Sequence, residues 1–276
     1  MPALLLGTSV SGRADAAARE APAQASLAAL HAAGAARCVN VTFAGDPPAA
    51  GVLDEHAALQ LDARTVTGVD GPRKPVVSEM LDALASEAER LGIPRIGVVN
   101  GDIVVTPAAV EQAATTRRPA LAFSRTDTGS GEPDSELLYG ADMFTFAVEF
   151  WRRERKRFRA YILGDAVWDN VYASVIACHG GALLNRERWI LHQRHPAVFR
   201  DSPYAPYLQL LAARDSSYFS LWCAYVARAE ALRARGGTGE EEDGLQREVF
   251  KAPGFRAEVY DVARAAWWRA RQGLGA

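Results

Sequence analysis

An α/β fold with a mostly parallel central sheet and helices on both faces is what this sequence predicts, and three observations predict it. Short apolar runs alternate with helix-period stretches through the first half of the chain, the order that builds parallel sheets with right-handed crossovers. One run, Arg95 to Val99, carries Ile96, Val98 and Val99 and is broken by Asn100-Gly101-Asp102, as suits a strand buried on both faces. With 276 residues, 49% of them hydrophobic, the chain is long enough for a sizeable core.

The elements follow in order. PALLLG reads as a first strand, and the polar residues Thr8, Ser9, Val10, Ser11, Gly12 and Arg13 after it as a loop able to wrap a ligand. Leu27 and Leu30 place a helix over 24–31, ended by Gly34. In RCVNVTF, Val39, Val41 and Phe43 alternate with polar residues, and Gly45-Asp46-Pro47-Pro48 stops the strand. A short strand is expected near Leu59 to Leu61. Pro75 stands where a first helical residue should, and Val77, Met80, Leu81, Leu84, Ala88 and Leu91 form an apolar stripe ending at Gly92. After the Arg95 strand, Thr106-Pro107 caps and begins a helix running to about Thr115, and PALAFS is a further strand.

Beyond the polar loop 127–136 the character changes. YGADMFTFAVEFW alternates as a strand, with Asp142 at its start. A helix is expected from the end of YILGDAVWDN to His179, stopped by Gly180-Gly181, and ALLNRERWILHQRHP reads as a strand delivering His192 and His195. From Ser202 the pattern is helical, interrupted by GGTGEEEDG, which reads as a surface loop.

A net charge of −2 asks for neither nucleic acid nor an anionic membrane, and the basic cluster Trp151 to Phe158 fits a solvated helix face. Cys38, Cys178 and Cys223 are odd in number and widely spaced, which points away from a disulfide framework or zinc site and towards a cytoplasmic protein. The apolar run Ala3 to Leu6 is too short for a signal sequence or a membrane span.

VVNGDIVV, YGADMFTF, GDAVWDN and ILHQRH, in that order, resemble glycosyltransferase-like proteins of the nucleotide-diphospho-sugar transferase fold, the GT-A type. The resemblance runs from about Leu4 to His195 and implies a nucleotide-sugar-binding domain over 1–199, followed by a helical extension over 200–276 that packs on it or makes a homo-oligomer. It implies sugar transfer from a nucleotide-sugar donor to a glycan or lipid-linked acceptor. Two alternatives stay open: a sugar-phosphate nucleotidyltransferase, against which no G-x-G-T-R loop follows the first strand, and a non-catalytic nucleotide-sugar-binding protein.

Such chemistry needs positive charge at a diphosphate and a base for the acceptor hydroxyl. Thr8, Ser9, Arg13, Lys74, Asn100 and Asp102 are the candidates for the donor nucleotide and diphosphate, with Arg73 beside them. A divalent cation, magnesium or manganese, would be held by Asp102 with His192 or His195, a histidine favouring manganese. Metal-dependent members of the fold present Asp-x-Asp where this chain has Asn100-Gly101-Asp102, so metal dependence is open. Trp168 and Asn170, with Asp142, are candidates for the acceptor, a ring face meeting a pyranose and polar groups its hydroxyls. Asp169 is the candidate base, and Asp165 a third, weaker candidate for the acceptor; the alternative reading has Trp168 as core and Asp169 as a helix cap.

Overall fold

The computed structural model describes residues 2–10, 14–46, 53–129, 134–194 and 202–251, and over them the α/β class holds. Strands β1 (Leu4–Thr8), β2 (Arg37–Phe43), β3 (Asp54–Leu59) and β4 (Arg95–Val99) pair in parallel in the order β3-β2-β1-β4. Helices α1 (Ala14–Ala32), α2 (Ala63–Thr67) and α3 (Val77–Leu91) lie between them in sequence. Every residue of β1 is buried. Leu4 and Leu6 join one core with Leu27 and Leu30 of α1, while Leu5 joins the other with Met80, Leu81 and Leu84 of α3. Side chains alternate across a strand, so one run of leucines feeds both layers.

The second half of the sheet is mixed. β5 (Ile103–Val105), α4 (Pro107–Thr115) and β6 (Ala120–Thr128) follow, and then β7 (Ser135–Ala147) inserts antiparallel between β4 and β6. Only residues 129–134 separate β6 from β7, too few for the crossover that a parallel pair needs. After α5 (Val148–Glu154) and α6 (Trp168–Cys178), the strands β8 (Ala182–Leu184) and β9 (Ile190–Gln193) both pair in parallel with β6, and β9 also pairs with β5. The single strand expected over 182–196 is thus two short ones.

Other boundaries move for identifiable reasons. The helix expected over 24–31 extends back to Ala14, because Pro22 lies on its exposed side, where a lost backbone bond faces water. Pro75 is not the first residue of α3 but bridges Asp62, and α3 begins at Val77. Gly92 closes it with φ of 68°. The basic cluster is a surface, with Arg152 paired to Glu89 and Arg155 to Asp82, while Trp151 and Phe158 are core.

Helices α7 (Ala205–Arg214), α8 (Ser216–Ala234) and α9 (Gly239–Val249) complete the described chain. Phe219, Trp222 and Tyr225 of α8 share a core with Val171, Tyr172 and Ile176 of α6. The stretch expected as a surface loop, GGTGEEEDG, is mostly the first turns of α9: Thr238 and Glu241 form a capping box, and Glu240, Glu241 and Glu242 stand at the helix's positive end. Among the described residues, no helix is long and apolar enough to cross a membrane.

Candidate functional site

The carboxyl ends of β4, β6 and β9 and the middle of β7 lie together, and each delivers a charged side chain; Asp142, expected at the start of its strand, lies well inside β7 because pairing with β6 begins at Ser135. The backbone explains why. His192 stands directly beside Ile103 in the β5–β9 pair and beside Asp127 in the β6–β9 pair, so Asp102 and Asp127 flank one imidazole. Its Nδ1 meets Asp127 Oδ1 at 2.8 Å, and its Nε2 lies 3.7 Å from Asp102 Oδ2. In the β6–β7 ladder Phe123 faces Met143 while Ser124 faces Ala141, which leaves Asp142 as the extra residue of a bulge. Bulges re-aim side chains next to active sites. Here Asp142 accepts from Arg125 Nη1 at 2.9 Å and from Asn100 Nδ2, while Arg125 Nε donates to Asp127 Oδ1 at 2.9 Å.

The result is a continuous polar chain, Asn100–Asp142–Arg125–Asp127–His192–Asp102. Burial disfavours charge on Arg125, but Asp142 and Asp127 more than offset it and hold the guanidinium charged. Burial likewise pushes Asp127 up, yet its bonds to His192 and Arg125 win and its carboxyl lies below the usual range. Burial lowers His192, but Asp102 and Asp127 outweigh it and hold the imidazole at about 9.

Asp169, in the first turn of α6, completes the group. It is partly exposed and accepts from Asn170 Nδ2 at 3.3 Å. Desolvation first, then the neighbouring Asp142 charge, raises its carboxyl to about 8, against the pull of Arg125. Just before α6, Val167 is buried and has φ of 82° and ψ of −35°, the one positive φ of a non-glycine residue among the described residues. A β-branched residue there is a strained outlier, and such outliers cluster at functional sites.

The loop after β1 borders this group. A Cβ on Gly101 would stand 3.1 Å from the Ser9 carbonyl oxygen, so the loop packs on the Asn100–Asp102 turn, and Val10 N donates to Asn40 Oδ1 at 3.0 Å.

Several expected roles do not survive the geometry. Trp168 is 2% exposed and packs on Phe144 and Tyr172, so its ring is core and offers no face to a sugar. Asn170 is fully buried and bonds to Asp169, and Asp142 has both oxygens bonded, so both brace the site instead of meeting an acceptor. Thr8 points inward at 1% exposure. Lys74 pairs with buried Asp165 at 3.0 Å, and Arg73 is held by Asp46 and Asp62 over the Phe43 ring. Arg13 and His195 lie outside the described residues.

Arg125 and Asp127 do not stand out in the sequence because the apolar run PALAFS ends at Ser124, whereas β6 runs on to Thr128. The signal was Arg-Thr-Asp directly after the apolar run, two charges at period two.

No family model and no curated protein matches the chain. Among solved structures it is similar to a galactosyltransferase, LgtC, in complex with donor and acceptor sugar analogues, at 12% identity and a TM-score of 0.34, over 70% of this chain and 88% of that one. It is also similar to a mannose-1-phosphate geranyltransferase from Thermus thermophilus, at 15% identity and a TM-score of 0.28, over 69% of this chain and 73% of that one. At these values the likenesses carry no weight for activity, and the fold rests on the chain's own strand order.

Proposed function

We propose that this chain is a glycosyltransferase that moves a sugar from a nucleotide-sugar donor to a glycan or lipid-linked acceptor, with Asp102 and His192 on the donor side and Asp169 as the base. The observation that carries the reading is the convergence of Asp102, Asp127, Asp142 and Asp169 on Arg125 and His192 at the strand ends. Ligands of open α/β sheets sit at that end.

The donor set fits a divalent cation. Asp102 and His192 converge to 3.7 Å, and Asp127 holds the far nitrogen of the imidazole, the arrangement that orients a ligating histidine. Among the described residues no group of three such side chains could hold a metal. Magnesium and manganese nonetheless bind through one or two protein side chains with substrate phosphates and water. When bound, a cation would neutralise the diphosphate leaving group and favour the unprotonated imidazole.

The rest is the work of the chain's own groups. The Ser9 to Val10 segment borders the turn and suits the nucleoside, with Asn40 holding its backbone in place. Arg125 keeps Asp127 and Asp142 fixed. A carboxyl raised to about 8 is a stronger base than an ordinary aspartate, which suits Asp169 to take the acceptor proton.

The test is titration of nucleotide sugars, with nucleoside triphosphates and free sugars as controls, with and without manganese, for the wild type and Asp102→Asn. The expected result is manganese-dependent donor binding and turnover, with a loss of about a hundredfold or more in the variant, since a metal clamp supplies several kcal/mol. A folded Asp102→Asn protein with full donor affinity and turnover would overturn the assignment. Turnover of a triphosphate with a sugar phosphate would replace it by nucleotidyl transfer, and binding without turnover by a binding protein.

A further inference from the structure

A second groove, of about 780 Å³, opens at the other end of the sheet, between the C-termini of α4 and α6, the start of β8 and helix α9. It is lined at Leu121, near the start of β6, whereas Asp127 lies six residues on along the same strand, so the two sites stand roughly 20 Å apart.

Its charge is one-sided. Arg117, Arg118, Arg247 and Lys251 line it against the single carboxylate of Asp243. All four cations are exposed, and none has a side-chain hydrogen bond or ion pair among the described residues. Several arginines elsewhere on the surface have a local partner: Arg152 has Glu89, Arg155 has Asp82, Arg157 has Glu154 and Arg228 has Glu248.

A second observation lies behind the groove. Arg95, at the start of β4, is 7% exposed and donates from Nη1 to the Arg118 carbonyl at 3.1 Å, while its Nε and Nη2 are buried with no partner among the described residues. Burial alone lowers its guanidinium to about 10. An uncompensated buried charge is costly to the fold, and this one adds its field to a wall that is already basic. The sequence beyond Lys251 carries no acidic excess, since it brings Arg256, Arg264, Arg269 and Arg271 against Glu258 and Asp261.

We propose that this groove binds a soluble phosphate-bearing anion, a di- or polyphosphate compound, at a site separate from the strand-end cleft. Arg117 and Arg118 on one wall and Arg247 and Lys251 on the other take its oxygens through charge-assisted hydrogen bonds. Groove and cleft differ in what they ask of the ligand. The cleft is rich in carboxylates and takes a diphosphate through a cation, whereas the groove takes one directly.

The experiment is calorimetric titration of the full chain with inorganic pyrophosphate in EDTA, which removes any cation-dependent binding in the cleft. Saturable binding is expected in the wild type and in Asp102→Asn. The Arg117→Ala/Arg118→Ala and Arg247→Ala/Lys251→Ala pairs, all at exposed positions, should each weaken it about ten- to a hundredfold. Arg228→Ala, which removes an exposed charge elsewhere, should leave it unchanged. No saturable binding in the wild type, wild-type affinity in both double variants, or adherence only to phosphatidylserine vesicles would overturn the proposal. This inference does not depend on sugar transfer: inactive protein that still binds pyrophosphate in EDTA through these four residues would support it alone.

Discussion

Two clusters of charge among the described residues are opposite in kind. At the strand ends, Asp102, Asp127, Asp142 and Asp169 gather around one arginine and one histidine. Beneath α9, a single carboxylate, Glu242, is 2% exposed and meets two arginines, Arg186 Nε at 2.7 Å and Arg233 Nη2 at 3.0 Å, with Asn185 and Tyr225 also bonded to it. Burial pushes Glu242 up, but Arg233 and the neighbouring donors win and hold it below the usual carboxylate range. Its partners satisfy it, so the cluster is a clasp between α9 and the strand ends near β8. The first cluster leaves Asp102 and Asp169 partly open to solvent, and burial together with the Asp142 charge leaves one of its acids raised. A satisfied cluster holds a fold together, whereas one with an anionic surplus and a raised acid is poised for chemistry.

The largest effect that separates the two falls on Asp169. General-base catalysis contributes about 10²–10⁴-fold, so Asp169→Asn should lower turnover by that factor while donor affinity barely changes. The pH response has a definite sign. A base with a carboxyl at about 8 is mostly protonated at neutral pH, so wild-type turnover should climb as pH rises through 8. Stability runs the other way. Between the ordinary carboxylate range and about 8 the unfolded chain has released a proton that the folded chain keeps, so this group's contribution falls as pH rises across that window. Asp169→Asn, a neutral mimic, should therefore gain melting temperature over the wild type as pH is raised from about 4 to about 8. Full turnover in the folded variant, or an unchanged pH profile, would leave Asp169 as a helix-start residue.

Glu242→Ala should do the reverse. Removing one partner of a buried pair destabilises by about 3–5 kcal/mol, and the lower end applies here because Arg186 and Arg233 keep 32% and 19% of their side-chain surface in water. Turnover per folded molecule should stay the same. Glu242 supplies stability that is present above the ordinary carboxylate range and lost as pH falls through its lowered folded value. Chemical denaturation at neutral pH and again below the ordinary carboxylate range measures both parts, and a Glu242→Ala protein of wild-type stability would show that the clasp contributes nothing.

How far the sequence disclosed these two clusters follows from how local each signal is. Asn100-Gly101-Asp102 and His192 are legible because each ends an apolar run, and Thr106-Pro107 is legible because its cap chemistry lies within a few residues. Asp142 and Arg125 are paired through a bulge, and Asp127 and His192 through strands 65 residues apart in sequence, so nothing local announces either bond. An aromatic beside Asp-Asn has the composition of a sugar platform, yet helical geometry turns Trp168 onto Phe144. The stretch that opens α9 carries its signal, Thr238-x-x-Glu241, under a run of acidic residues and glycines that also suits a loop.

The smallest and sharpest test concerns Val167, which sits on the reactive side of the comparison, two residues before Asp169. At an ordinary buried position alanine is better than glycine by about 0.5–1 kcal/mol, because glycine loses more backbone freedom on folding. At φ of 82° that order should invert. A side chain in this region costs on the order of 1–2 kcal/mol through its Cβ, which alanine keeps and glycine lacks. Val167→Ala and Val167→Gly both give up the buried isopropyl group, so that loss cancels when the two are compared with each other. Val167→Gly should then be the more stable by about 1 kcal/mol, measured by denaturant midpoint at constant slope. If the strain also holds the first turn of α6 in place, the glycine variant should be more stable than the alanine variant and yet slower in turnover, because Asp169 loses its fixed direction. An alanine variant more stable than the glycine one would mean that the backbone at Val167 relaxes out of the positive region, and the orientation of Asp169 would then rest on its bond from Asn170.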